Sequence, residues 1–157
     1  MGFTKGVKQG FYEPVHKDKW ILTESFDTKG KKVVKYRSSW ERHFCVFADN
    51  NPDIIKVNSE GVVIPYFNPI KDKISRYYID FMIQTKSNTF IVEIKPFAET
   101  KPPKPPRKKT DKSIKNYMKS LQTYQVNIAK WSAAEDFAKE KNIKFIIITE
   151  KELFNNH

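Results

Sequence analysis

What this sequence lacks narrows it first. It has one cysteine in 157 residues, Cys45, so no internal disulfide and no cysteine-based zinc site can form. Its five glycines do not cluster into a phosphate-cradling loop, which speaks against nucleotide hydrolysis. No apolar run approaches the ~18 residues of a membrane-spanning helix. The opening MGFTKGVKQGFYEP has no apolar stretch of a secretory signal, and Gly6 fills the position where a myristoylation motif wants Ser or Thr. His16, His43 and His157 form no metal-like spacing, and on a helix His43 would diverge from Glu41. Negative charge is scarce: 18 Asp+Glu face 29 Lys+Arg, a formal +11. With 39% hydrophobic and 14% aromatic residues the chain is not wholly disordered. The expectation is a soluble, intracellular, strongly basic single domain without membrane contact.

The excess charge is localised. Residues 1–37 carry a net +5, residues 38–100 a net −1, residues 101–119 a net +7, and residues 120–157 none. An ordinary folded body over residues 36–157 therefore follows a basic arm, residues 1–35, and is interrupted by a Pro/Lys-rich segment at 96–111. That segment runs KPPKPPRKK, is extended rather than core-forming, and presents Lys101, Lys104, Arg107, Lys108 and Lys109. A stiff cationic strap suits phosphate backbones and has nothing to read bases with, so the expected partner is double-stranded DNA, bound without sequence preference. The plainer reading is a solvated linker in a lysine-rich protein.

The arm shows no sustained period beyond a short strand expected near Trp20-Ile21-Leu22. A helix opens at Ser38, where Ser38-Ser39-Trp40-Glu41 fits a capping box and Trp40, Phe44 and Phe47 follow at helical spacing, and it stops near Asn51-Pro52. Strands are expected at Ile54–Val57 and Val62–Phe67. A hairpin is expected from Tyr77–Gln84 and Thr89–Lys95 around Thr85-Lys86-Ser87-Asn88. A long helix follows, Lys112 to Lys141, with an apolar stripe that includes Ile114, Met118, Ile128, Trp131 and Phe137, and with Tyr124 and Gln125 near the sheet. KFIIIT reads as a buried strand before a last short helix. The order is arm, α, β, β, β, β, α, β, an α/β class.

Two acids stand out. Asp80 is the one charged residue of YYIDFMI, and Glu93 sits inside FIVEIK with Lys95 two residues on, on the same strand face. Pairing Gln84 with Thr89 brings Asp80 opposite Glu93, where like charges are destabilising unless a cation lies between them. Two carboxylates and a backbone carbonyl, that of Ile94, offer hard oxygens suited to Mg²⁺, for which Mn²⁺ substitutes. Such a site can hydrolyse phosphodiesters, with Lys95 orienting the water and Glu41 as a further ligand or base. Lys130 is a candidate phosphate contact. The plainer readings are a capping acid for Glu41, a half-exposed acid for Asp80 and a surface ion pair for Glu93 and Lys95.

Glu41, Asp80, Glu93 and Lys95 resemble the PD-(D/E)xK nuclease pattern, although Ile79 stands where a proline usually precedes the first Asp. YRSSWE is similar to the end-cleaving subunits of some transposons. YRSSWERHF, RYYIDF, FIVEIKP, the KPPKPP segment and YQVNIAKW resemble the head completion nucleases of T-even-type tailed phages. The resemblance implies a restriction-endonuclease-like αβββαβ core, a mixed central sheet flanked by helices. It also implies metal-dependent endonuclease activity on packaged or terminal DNA during head maturation and tail attachment. Phage portal or neck proteins would be partners, in the host cytoplasm or on the virion, with no nucleotide cofactor. A structural portal or neck protein that binds DNA without cutting it, or a transposon- or repair-type endonuclease, remain as alternatives.

Overall fold

The computed structural model describes residues 8–21 and 30–154; Leu22 and His157 lie outside them. Helix α1, Ser39–Asn50, starts where its cap dictates. Ser38 is extended and its Oγ accepts the Glu41 N–H at 3.2 Å. Trp40, Phe44, Cys45 and Ala48 form its buried stripe. Burial pushes the Cys45 thiol well above its ordinary value, which makes it an inert core group.

Strands β1 (Gly10–Tyr12), β2 (Trp20–Ile21), β3 (Val34–Tyr36), β4 (Ile54–Ser59), β5 (Val63–Asn68), β6 (Lys73–Tyr78), β7 (Phe81–Thr85), β8 (Thr89–Ile94) and β9 (Lys144–Ile148) make three sheets. The main sheet has five strands in the order β2-β4-β7-β8-β9. β4, β7 and β8 are antiparallel neighbours, while β2 and β9 run parallel to β4 and β8. α1 packs on one face, over Val57, Phe81, Ile83, Val92 and Ile94. The second long helix, α2 (Asp111–Lys141), packs on the other, where Ile91 meets Trp131, Ala134 and Ala138. A helix on each face, three antiparallel strands and a parallel strand returning after α2 is the restriction-endonuclease-like core. A short helix, α3 (Glu150–Leu153), closes the described chain. Among the described residues no helix is long and apolar enough to cross a membrane.

Two expectations are corrected. Tyr77–Gln84 is not one strand. Lys73–Tyr78 pairs with Val63–Asn68 in a separate two-stranded sheet, the chain bends at Ile79-Asp80, and only then does β7 begin. One side of this ribbon (Ile64, Tyr66, Tyr77) packs under α2, while the other (Val63, Phe67, Ile74, Tyr78) faces solvent. The stripe on α2 is also not continuous core, because Ile114, Met118 and Ile128 are exposed. At 1.5 Å per residue a 31-residue helix is about 46 Å long, against strands of about 17–20 Å, so its first half overhangs the sheet. The buried positions are Asn127, Trp131, Ala134 and Ala138, a spacing of four, three and four. Asn142 ends α2 in the left-handed conformation, φ 56°, which Asn tolerates.

The described part of the arm is tied to the end of α1. Asp49, fully buried there, accepts hydrogen bonds from Tyr12 Oη (2.5 Å), Val15 N (2.7 Å), His16 N (3.0 Å) and Trp20 Nε1 (3.1 Å). Lys19 Nζ meets the carbonyls of Ala48, Asn51 and Ile54, satisfying the helix end. Burial opposes the Asp49 charge, but the four donors outweigh it and hold its carboxyl at about 2. A carboxyl lowered on folding stabilises the native state above its unfolded pKa and loses that contribution as pH falls through the folded one. From pH 5 to pH 2 the wild-type protein should therefore lose about 2 kcal/mol through this group. Asp49→Asn should lower Tm at neutral pH and flatten that acid dependence. An acid dependence of Tm unchanged by Asp49→Asn would refute the assignment.

Candidate active site

β8 deals its side chains alternately to the two faces. Val92 and Ile94 enter the α1 core, Ile91 goes to the α2 side, and Glu93 follows Ile91. Glu93 is 7% exposed, yet it is fully engaged. Its Oε2 accepts the Tyr77 hydroxyl at 2.8 Å, and Lys95 Nζ lies 3.4 Å from Oε1. Tyr77 reaches it from the inner side of the β5–β6 ribbon. Burial, reinforced by the Glu93 charge, drives the Tyr77 hydroxyl far above its ordinary pKa, so it stays a donor.

Asp80 sits in the bend between β6 and β7, one residue beyond the last ladder pair, Phe81 with Val92. It therefore does not stand squarely across from Glu93 as a strand partner. Its Oδ2 accepts the Ile94 N–H at 2.7 Å, so Asp80 grips the peptide that follows Glu93. Asp80 is thus bound at the end of β8, on the peptide that joins Glu93 to Ile94, the expected carbonyl ligand, with Lys95 following.

Glu41, 5% exposed in the first turn of α1, does not complete the capping box with Ser38. Its Oε2 instead accepts the Arg37 N–H at 3.0 Å. The Arg37 guanidinium forks onto Glu60, with Nε–Oε1 at 2.7 Å and Nη2–Oε2 at 3.3 Å. That pairing raises its pKa, with further support from the charges of Glu41 and Asp80. Glu60 N in turn donates to the Asp80 carbonyl. Arg37 thus links the three acids of this end of the sheet. Among the described residues no group of three His, Cys, Asp or Glu is spaced to hold a metal ion. The donors at Asp80 and Glu93 still fit Mg²⁺, a hard ion that is bound through one or two carboxylates plus waters and substrate phosphates.

Lys130 lies beside this site rather than on an open helix surface. Its Nζ stands 5.5 Å from the Tyr77 ring centroid and 5.8 Å from that of Tyr66. Burial lowers its pKa and Lys95 adds to that, while Glu93 and Asp80 oppose. The strap residues Lys101, Lys104, Arg107, Lys108 and Lys109 are all exposed, in an extended segment between the turn Phe97–Thr100 and α2. They make no ion pair among the described residues. Lys101 Nζ rests 5.3 Å from the Phe97 ring centroid. Tyr77, Tyr66 and Arg37 were not singled out by sequence. No local spacing signals them, because each acts on a partner from another element.

The family described as TnsA-like endonuclease N terminal matches residues 51–150, a span that holds Asp80, Glu93, Lys95, the strap and Lys130 but not Glu41. The head completion nuclease of Enterobacteria phage T4 is 40% identical over 134 residues, covering 84% of this chain and 89% of that protein.

Proposed function

Because the chain belongs to the TnsA-like endonuclease family and is a homologue of a phage head completion nuclease, we propose that it is a Mg²⁺-dependent DNA endonuclease of virion assembly. Its substrate is the packaged or terminal DNA of a phage head, cut in the host cytoplasm as heads are finished, with portal or neck proteins as neighbours. The observation that carries the reading is Asp80 bound to the peptide that follows Glu93 at the end of β8, with Lys95 beside Glu93.

Bound there, Mg²⁺ supplies charge neutralisation at the scissile phosphate and a water of lowered pKa. The chain's own groups do the rest. Lys95 holds an oxygen of the attacking water or of the phosphate in place. Tyr77 Oη fixes Glu93 Oε2, so that carboxylate cannot swing away from the site. Lys130, braced on two aromatic faces, offers a second cation for the phosphate as negative charge builds on it. Arg37 holds Glu41 through its N–H and Glu60 through its guanidinium, and its charge offsets that of Asp80. The strap grips backbone phosphates and gives the binding its independence of sequence.

The direct test incubates the full-length protein with plasmid DNA in Mg²⁺, in Mn²⁺ and in chelator. Cutting with either metal and none in chelator is expected. DNA binding with no cutting in either metal would overturn the nuclease reading and leave a structural, DNA-holding role.

A further inference from the structure

A cleft of about 480 Å³ opens between the strap and α2, within the size of a small-ligand site. Both of its walls start at the acidic site. One is the chain that leaves β8 at Lys95 and reaches Lys101. The other is α2, on which Asn127 precedes Lys130 by one turn. At its base Asn127 is 7% exposed, and its amide makes no hydrogen bond with any described residue. Among the described residues the sealed-off unpartnered atoms are Asn58 Oδ1 and Trp131 Nε1, so the Asn127 amide still opens to the cleft, where a ligand or water can meet it. It offers a donor and an acceptor together, the pattern that base edges match. Tyr124, one turn before Asn127, puts a half-buried ring in the same lining, and Lys101 and Lys119 supply a cation from each wall.

The geometry points to a subsite for one unpaired nucleotide of the DNA strand beside the scissile phosphate. Its base stacks on Tyr124 with its edge on Asn127, and its phosphates lie between Lys101 and Lys119. This rests on the nuclease reading and gives it a substrate class. A base within an intact duplex is paired and stacked, and reaching such a cleft means extruding it at a cost of a few kcal/mol. A strand end or a single-stranded tail enters without that cost. The enzyme therefore prefers DNA with an unpaired strand at the cut over continuous duplex.

The test uses the full-length protein in chelator, so that binding is read without cleavage. Fluorescence anisotropy compares a blunt duplex with the same duplex carrying a short thymidine tail at either end of a strand. The parent should bind a tailed duplex several-fold more tightly. Asn127→Ala and Tyr124→Ala should each abolish that several-fold preference, since one base contact is worth about 5-fold or more in affinity. Tyr124→Trp, which keeps a stacking surface, should retain it, and this guards against a folding defect in the alanine proteins. Equal affinity of the parent for blunt and tailed DNA would overturn the inference, as would alanine variants that weaken both DNAs alike. Free dTMP competing as well as the tail would replace the strand with a mononucleotide and also overturn it. The two readings fail separately. A tail preference without metal-dependent cutting would remove the nuclease and keep the cleft, and cutting without a tail preference would do the reverse.

Discussion

Asp80→Asn and Glu93→Gln should each leave a folded protein that binds DNA and cuts it at least ~10³-fold more slowly than the parent. Both substitutions remove a charge and keep the shape. The amide introduced at position 80 still offers an oxygen to the Ile94 N–H, and the one introduced at position 93 still accepts from Tyr77 Oη. The hydrogen bonds that build the bend and the ribbon wall therefore survive. What disappears is the pair of anionic oxygens that would hold the proposed divalent cation. Lys95→Ala should fall with them, whereas Tyr77→Phe removes one neutral-to-charged hydrogen bond and should slow cutting only about tenfold. Initial rates of plasmid nicking in Mg²⁺ at saturating protein measure all four. Either acid variant cutting within tenfold of the parent would remove that residue from the metal site.

Reversing the strap, with glutamate replacing Lys101, Lys104, Arg107, Lys108 and Lys109 together, should weaken duplex binding by about 10³-fold at low salt. It should also make the log–log salt slope shallower by about four, since each phosphate contact contributes roughly 0.9. The side chains are exposed and unpaired among the described residues, so Tm should move little. Affinity and slope equal to the parent's would reduce the segment to a linker.

Much of the core was readable because it is written in local patterns. Ser38 announces α1 through its hydroxyl, and Asn142 ends α2 by accepting a left-handed backbone. The short turn between Thr85 and Thr89 fixes the register that sets Phe81 against Val92 and carries Asp80 to Glu93's neighbourhood. What escaped was set by length and by distance in the chain. Lys73–Tyr78 is a half-polar edge ribbon that merges in sequence with Ile79 and Phe81, with no Gly or Pro at the bend, so it reads as the front of β7. Ile114 and Met118 look like core until α2 is measured against the strands it covers. Tyr77 meets Glu93 across 16 positions, and Tyr12 meets Asp49 across 37. Such pairings depend on the completed fold and leave no periodic trace. Glu41 kept its helix position but changed its partner, because Arg37 N–H, rather than the Ser38 N–H, lies within its reach.

The overhang of α2 also sets a ruler. From Lys130 at the acidic site to Lys112 at the root of the strap the helix runs about 27 Å, and duplex DNA climbs about 3.4 Å per base pair. A duplex laid along it is held at both ends only when about eight base pairs lie to one side of the cut. On the proposed reading the projection would thus give the nuclease a footprint, and shorter stubs of DNA would escape the second grip.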